Sequence, residues 1–412
     1  MSEKITAADV IRLLDAHEAA AVDVREPDEF AVGHIPGAKL LPLGQVLSRA
    51  AEVLPDKNAV WLVYCRTGRR SADAVQKLDA LGYTNIYSPI LDIAQDPRWG
   101  RCVETYGEDP YLVGELGKQM ITSLQKHNLV ATPKHFAVYS IPVGGRDGKT
   151  RTDPHVAPRE MRTLYIEPFR MAFQEAGALG VMSSYNDYDG EPITGSYHFL
   201  TEILRQEWGF KGYVVSDSEA VEFISSKHKV ANTYEDGIAQ AVNAGLNIRT
   251  HFTPPADFIL PLRKAVADGK ISQETLDKRV AEILRVKFWL GLFDNPYRGN
   301  GKQAEQIVHS KEHQAVSLEA ARQSLVLLKN EMNLLPLSKS LRSIAVIGPN
   351  ADERTQLICR YGPANAPIKT VYQGIKERLP HTEVIYRKGC DIIDPHFPES
   401  EVPVSYTHLR AH

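Results

Sequence analysis

The order of apolar and polar positions divides the chain into stretches with different rhythms. In residues 1–87, short apolar runs at 20–24 (Ala-Ala-Val-Asp-Val) and 60–64 (Val-Trp-Leu-Val-Tyr) have the length and composition of buried parallel strands. Residues 72–81 place Ala74, Val75, Leu78 and Leu81 at helical spacing. Alternating strand and helix signals predict an α/β layer fold. From residue 88 onward each strand signal is followed by a longer helical stretch. Strands are predicted at 90–93, 129–132, 180–183, 213–216 and 245–248, and helices at 111–126, 159–176 and 236–244. Repeated βα units without hairpin turns predict a parallel sheet or a barrel. A polar, Gly-containing linker at 298–311 follows, and a further α/β stretch is expected over 312–403, with an apolar run at 343–347 (Ser-Ile-Ala-Val-Ile).

Composition narrows the class without choosing a function. The 412 residues are 43% hydrophobic and 24% charged, the ordinary globular range, which excludes a disordered or fibrous chain. A net charge of −3 removes the simplest basis for nucleic-acid binding, a basic face that neutralises phosphates. No apolar run approaches the roughly 18–20 residues of a membrane span. The start, Met1-Ser2-Glu3-Lys4-Ile5-Thr6, lacks the apolar stretch of a secretory signal, so the chain as written is expected in the cytoplasm. Cys65, Cys102, Cys359 and Cys390 are too few and too scattered for a disulfide framework or a zinc site. No metal or cofactor is expected.

Two groups of residues carry chemistry. The first is the loop Cys65-Arg66-Thr67-Gly68-Arg69-Arg70 at the end of the second strand. A cysteine there faces the N-terminus of the following helix, whose N–H groups and dipole favour negative charge, and the arginines add positive potential. The thiolate is therefore expected to be stabilised at neutral pH. With Val22-Asp23-Val24-Arg25-Glu26-Pro27-Asp28-Glu29-Phe30 and Gly33-His34-Ile35-Pro36-Gly37-Ala38, the loop resembles the rhodanese-like sulfurtransferases over residues 1–87. That resemblance implies a persulfide on Cys65, an anion loop at 66–70 and a sulfur donor such as thiosulfate.

The second group sits at the predicted C-terminal ends of the later strands: Arg101, Lys134 and His135, Tyr185 and Asn186, and Asp217. In a (β/α)8 barrel those ends share one mouth, where chemistry is built. Taken singly, Asp217 also suits a helix cap and His135 a satisfied core histidine; together they form a constellation. Asp96-Pro97-Arg98-Trp99-Gly100-Arg101, Lys134-His135-Phe136, Met182-Ser183-Ser184-Tyr185-Asn186 and Val214-Val215-Ser216-Asp217 resemble glycoside hydrolase family 3, as do Leu325-Val326-Leu327-Leu328-Lys329-Asn330 and Gly348-Pro349-Asn350-Ala351-Asp352. The resemblance spans about residues 88–400. It implies retaining hydrolysis of terminal β-glycosides, of the β-glucosidase or β-xylosidase type, with Asp217 as nucleophile. Arg101, Lys134, His135 and Tyr185 match positions that hold the terminal sugar or sit against the nucleophile. Cations there are expected to lower the pKa of Asp217. Ser218 stands where many β-glucosidases of the family have Trp, which leaves the sugar open.

The expected architecture is therefore α/β throughout: a rhodanese-like domain at 1–87, an incomplete (β/α)8 barrel at 88–297 and the start of an α/β sandwich. Five strand signals leave an eight-stranded barrel unclosed. The family's acid/base glutamate is expected beyond His412, and with it most of the turnover of natural oligosaccharides. Residues 404–412 (Val-Ser-Tyr-Thr-His-Leu-Arg-Ala-His) read like a translated sequencing adaptor. With the change of pattern near residue 88, that tail suggests a chimeric, truncated reading frame. A parent glycosidase would often be exported.

Overall fold

The computed structural model describes residues 19–54, 61–64, 84–141, 152–295, 307–354 and 368–391, less Glu26, Gly33, Pro36, Leu43, Gly44 and Phe252. The chain forms two compact units, residues 1–310 and 311–412.

The first unit opens with a parallel sheet of three strands in the order β2-β1-β3: β1 (Ala20–Asp23), β2 (Lys39–Leu40) and β3 (Trp61–Tyr64). Val22, Val24 and Leu41 pack against Val46, Ala50 and Leu54. The last three lie four residues apart, one face of the helix Val46–Val53 and the residue that ends it. Asp23 is fully buried at the end of β1, where the Arg25 guanidinium forks onto it at 2.6 and 2.9 Å. The expected α/β layering is thus present here. The predicted helix at 72–81 and the Cys65–Arg70 loop lie outside the described residues.

A second parallel sheet positions the later residues. β4 (Asn85–Ile86) pairs with β5 (Val130–Ala131), and a bridge between Ile90 and Lys134 extends that pairing. Phe136 bridges to Ser183 at the end of β6 (Gly180–Ser183). β6 pairs with β9 (Tyr213–Ser216), and Val215 bridges to Ile248. Five chain segments therefore lie side by side in sequence order, all parallel, as in a (β/α) barrel.

Three expectations are corrected. The strand expected at 90–93 is a single bridge at Ile90, and pairing begins earlier, at Asn85, ahead of residue 88. The strand expected at 245–248 is also one bridge, because the Asn247 side chain replaces part of the ladder: its Oδ1 accepts the Val214 N–H at 2.8 Å. The helix expected at 159–176 is broken into Pro158–Glu160, Met161–Tyr165 and Glu167–Gln174, with Pro168 in the first turn of the last piece. A small hairpin, β7 (Asp187–Tyr188) with β8 (Glu191–Pro192), interrupts the βα rhythm. Its turn is Asp189-Gly190, both at positive φ, a sequence suited to a tight hairpin.

The helix Pro110–Lys126 begins where the Asp109 carboxylate caps the Leu112 N–H at 2.7 Å. It buries Val113, Gly114, Gly117 and Ile121. Gly117 permits a close approach, since a Cβ there would lie 2.5 Å from a terminal carbon of Leu91. The centre of the core is Phe136, ringed by Phe169, Phe173, Phe199 and Trp208 at centroid distances of 5.3–6.3 Å, all edge-on.

The second unit contains the helix Lys311–Gln323, the parallel pair β10 (Ser343–Ile347) and β11 (Glu383–Arg387), and the helix Val371–Arg378. Thr370 and Gln373 form a reciprocal capping box at the start of that last helix. Among the described residues, no helix is long and apolar enough to cross a membrane.

Candidate active site

The sheet register brings the candidate residues together. Ser183 pairs with Ser216, and the Asp217 N–H donates to the Ser183 carbonyl at 3.1 Å, so the ends of β6 and β9 are adjacent. Two residues beyond β6, Tyr185 reaches Asp217. The Phe136 N–H donates to Met182 O at 2.8 Å, which sets His135 beside the same strand ends. The ring of Phe136 lies in the hydrophobic core, while its neighbour His135 lies beside Asp92 and Asp217. The Lys134–His135 and Phe136–Ala137 peptide bonds are cis.

Asp217 is buried, and its two oxygens have different surroundings. Oδ1 accepts the Tyr185 hydroxyl at 2.8 Å and the Ser218 N–H at 2.7 Å. Oδ2 accepts no hydrogen bond and faces His135 Nε2 at 3.5 Å, beyond ordinary hydrogen-bond length. The other ring nitrogen, Nδ1, lies 2.6 Å from Asp92 Oδ2, which also accepts the His135 N–H at 3.1 Å. Arg101 forks onto Glu104 through two bonds of 2.7 Å, and its guanidinium lies 5.6 Å from the centre of the Tyr139 ring. Tyr139 makes edge contacts with Trp99, His135 and Tyr185, forming an aromatic wall. Behind Tyr185, His228 Nε2 contacts the Tyr185 carbonyl at 2.9 Å, and Nδ1 lies 3.6 Å from Asp187.

Electrostatics correct one expectation. Burial pushes the Asp217 carboxyl above the usual carboxylate range; Arg101, the Tyr185 hydroxyl, the Ser218 N–H and Lys134 pull the other way without prevailing. Desolvation of a carboxylate taken from water outweighs cations that are themselves shared with Glu104 and Asp92. Asp92 is raised in the same way, to about 7, against the pull of Arg101. Burial lowers the pKa of Lys134, with Asp217 opposing. A buried carboxylate with one oxygen unbonded, beside donors of both charged and neutral kind, is suited to attack an electrophilic carbon carrying hydroxyl groups.

Arg101, Lys134, His135, Tyr185 and Asp217 thus share one neighbourhood. Cys65, Arg66, Thr67, Gly68, Arg69 and Arg70 lie outside the described residues. Sequence reasoning left Asp92, Glu104, Tyr139 and His228 without roles. The available signal was polarity: Asp92 is the one charged residue in the run Ile90-Leu91-Asp92-Ile93, and it follows the Ile90 bridge to Lys134.

Two family models match, the glycosyl hydrolase family 3 N terminal domain over residues 43–286 and the C-terminal domain of the same family over residues 325–405. The chain belongs to glycoside hydrolase family 3. A xylan 1,4-beta-xylosidase of Xylanibacter ruminicola is 35% identical over 315 residues, covering 75% of this chain and 36% of that protein. A periplasmic beta-glucosidase of Salmonella typhimurium is 33% identical over 325 residues, covering 76% of this chain and 41% of that one. The crystal structure of a beta-glucosidase from Listeria innocua superposes with a TM-score of 0.68 at 31% identity, covering 77% of this chain and 44% of that one. The chain therefore spans less than half the length of each of these family 3 relatives. The sulfurtransferase reading of residues 1–87 gains no support, since the family 3 match starts at residue 43 and runs through the Cys65 loop.

Proposed function

We propose that the chain carries the nucleophile and sugar-holding half of a retaining β-glycosidase, acting on terminal β-glucosides or β-xylosides. The observation that carries this reading is the environment of Asp217: Oδ1 is fixed by Tyr185 and Ser218, while Oδ2 is left without a hydrogen bond beside His135. In this reading Oδ2 attacks the anomeric carbon, the glycosidic bond breaks, and the aglycone leaves with the bonding electrons. Water then hydrolyses the glycosyl ester, and a second carboxyl serves both steps as acid and then base. Lys134, Arg101 and Tyr185 have the chemistry to grip hydroxyl groups of the sugar and to steady the carboxylate.

The choice between the two sugars rests on relatives of both kinds, a beta-xylosidase and a beta-glucosidase. The test uses 2,4-dinitrophenyl 2-deoxy-2-fluoro-β-D-glucoside and the matching xyloside, whose leaving group departs without protonation. The expected result is a burst of dinitrophenolate, one equivalent per chain, faster with one of the two sugars. A burst from the α-anomers alone, or none from any, would overturn the reading.

A further inference from the structure

Asp92 belongs to no step described so far, yet it is buried next to the site. Its Oδ2 accepts from both the backbone N–H and Nδ1 of His135, at 3.1 and 2.6 Å. The bond to Nδ1 is short even for a charge-assisted pair. The imidazole is buried as well, and its remaining nitrogen is turned toward the unbonded oxygen of Asp217. The three groups form a chain: carboxylate, imidazole, carboxylate.

We infer that Asp92 is a positioning residue for the proposed nucleophile: it holds the proton of His135 on Nδ1 and thereby presents Nε2 to Asp217 and to a sugar hydroxyl bound between them. The inference rests on the assignment of Asp217 as nucleophile. An acceptor at Nδ1 decides which ring nitrogen carries hydrogen. With Asp92 in place, neutral His135 has its lone pair on Nε2, able to accept from a substrate hydroxyl. When the ring gains a second proton, Nε2–H becomes a donor toward Asp217 Oδ2. One acid behind the ring therefore controls both what His135 offers the sugar and how much negative charge Asp217 keeps.

The charges that face this chain come from several elements. Arg101 and Glu104 lie in the loop after residue 93, Lys134 precedes the histidine, and Asp217 approaches from β9. The Tyr139 ring covers the imidazole edge at 5.2 Å. Burial lifts Asp92 toward neutral pH.

The test is nitrogen-15 NMR of the full chain labelled at histidine, with the His135 signals assigned by their loss in His135→Gln. The wild-type ring is expected as the Nδ1–H tautomer when neutral. Asp92→Asn keeps an acceptor for both bonds but removes the charge, so the tautomer should persist while the first proton taken up by the ring binds at lower pH. Asp92→Ala should release the tautomer and slow fluoroglycoside labelling by up to about 100-fold, the cost of misplacing a reacting group by about 1 Å. The labelling pH profile of Asp92→Asn should shift in the same direction as the ring titration, which a purely structural role would leave unmoved. An Nε2–H tautomer in the wild type, or an unchanged ring titration in Asp92→Asn, overturns the inference. A wild type that shows the Nδ1–H tautomer but takes no label contradicts the nucleophile reading instead, so the two failures are separable.

Discussion

Two helices end in opposite circumstances. Pro110–Lys126 sets four residues into the core, close enough to Leu91 that a Cβ at position 117 would force that side chain to move. Lys311–Gln323, in the second unit, buries none of its side chains. The contrast extends to the sheets. β6 and β9 are buried at every position, whereas β10 and β11 together bury only Val346. Both regions have parallel strands and helices, but Lys311–Gln323 is the more polar of the two helices compared. The packing partner differs as well. The proposed catalytic geometry needs a fixed environment shielded from water, and the described residues of the first unit supply buried positions that β10 and β11 do not. Family 3 sequence signatures mark both regions equally, because a motif survives wherever its residues do.

Substitutions that pit the two regions against each other test this contrast. The largest effect belongs to Asp217→Ala, which should abolish covalent labelling, while Leu328→Ala, at a side chain 92% exposed, leaves the labelling rate unchanged. Mass spectrometry of the intact chain reads both. Next comes the core. Phe136→Ala removes the ring on which four other aromatics converge and should destabilise the first unit by about 3–5 kcal/mol in denaturant titration. Val326→Ala, exposed in the second unit, should stay within about 0.5 kcal/mol. Equal effects would erase the comparison.

A smaller effect is expected within the site. Tyr185→Phe deletes a hydrogen bond to a charged group, worth about 1.5–3 kcal/mol, so labelling should slow roughly 10- to 100-fold without loss of folding. The response to pH reads stability rather than labelling. Asp92 titrates near 7 when folded and at the ordinary carboxylate value when unfolded. Between those values the folded chain keeps a proton that the unfolded chain has lost, so this group's stabilisation is complete at low pH and declines as pH rises from about 4 to 7. Asp92→Asn should flatten that part of the stability curve, measured as the denaturation midpoint across the range. A steeper decline in the variant would contradict the burial argument.

Much of the barrel was legible in the sequence, for a physical reason. Gly180–Ser183 and Tyr213–Ser216 are continuous apolar runs because both faces of a parallel strand are covered, and the structure places both strands as expected. The ends of the sheet were harder to read. At Ile90 and Ile248 the backbone makes only one bridge, and side chains such as Asn247 complete the bonding, which hydrophobic pattern does not encode. The hairpin at Asp189-Gly190 carried a readable turn signal that the regular βα rhythm obscured. In the site, strand-end position singled out Arg101, Lys134, His135, Tyr185 and Asp217. It left Asp92 aside, because an acid inside an apolar run is recognisable as functional only once its partner across the fold is known. The sign of the Asp217 shift was likewise hidden, since nearby cations are visible in sequence but desolvation is not.

The central claim is that the carboxylate of Asp217 forms the glycosyl bond. Peptide mapping after reaction with the 2-deoxy-2-fluoro glycosides tests it most directly. The account predicts a single fluoroglycosyl ester on the peptide that contains Asp217, absent from Asp217→Ala. An ester carried by a different residue in the wild-type chain would contradict it.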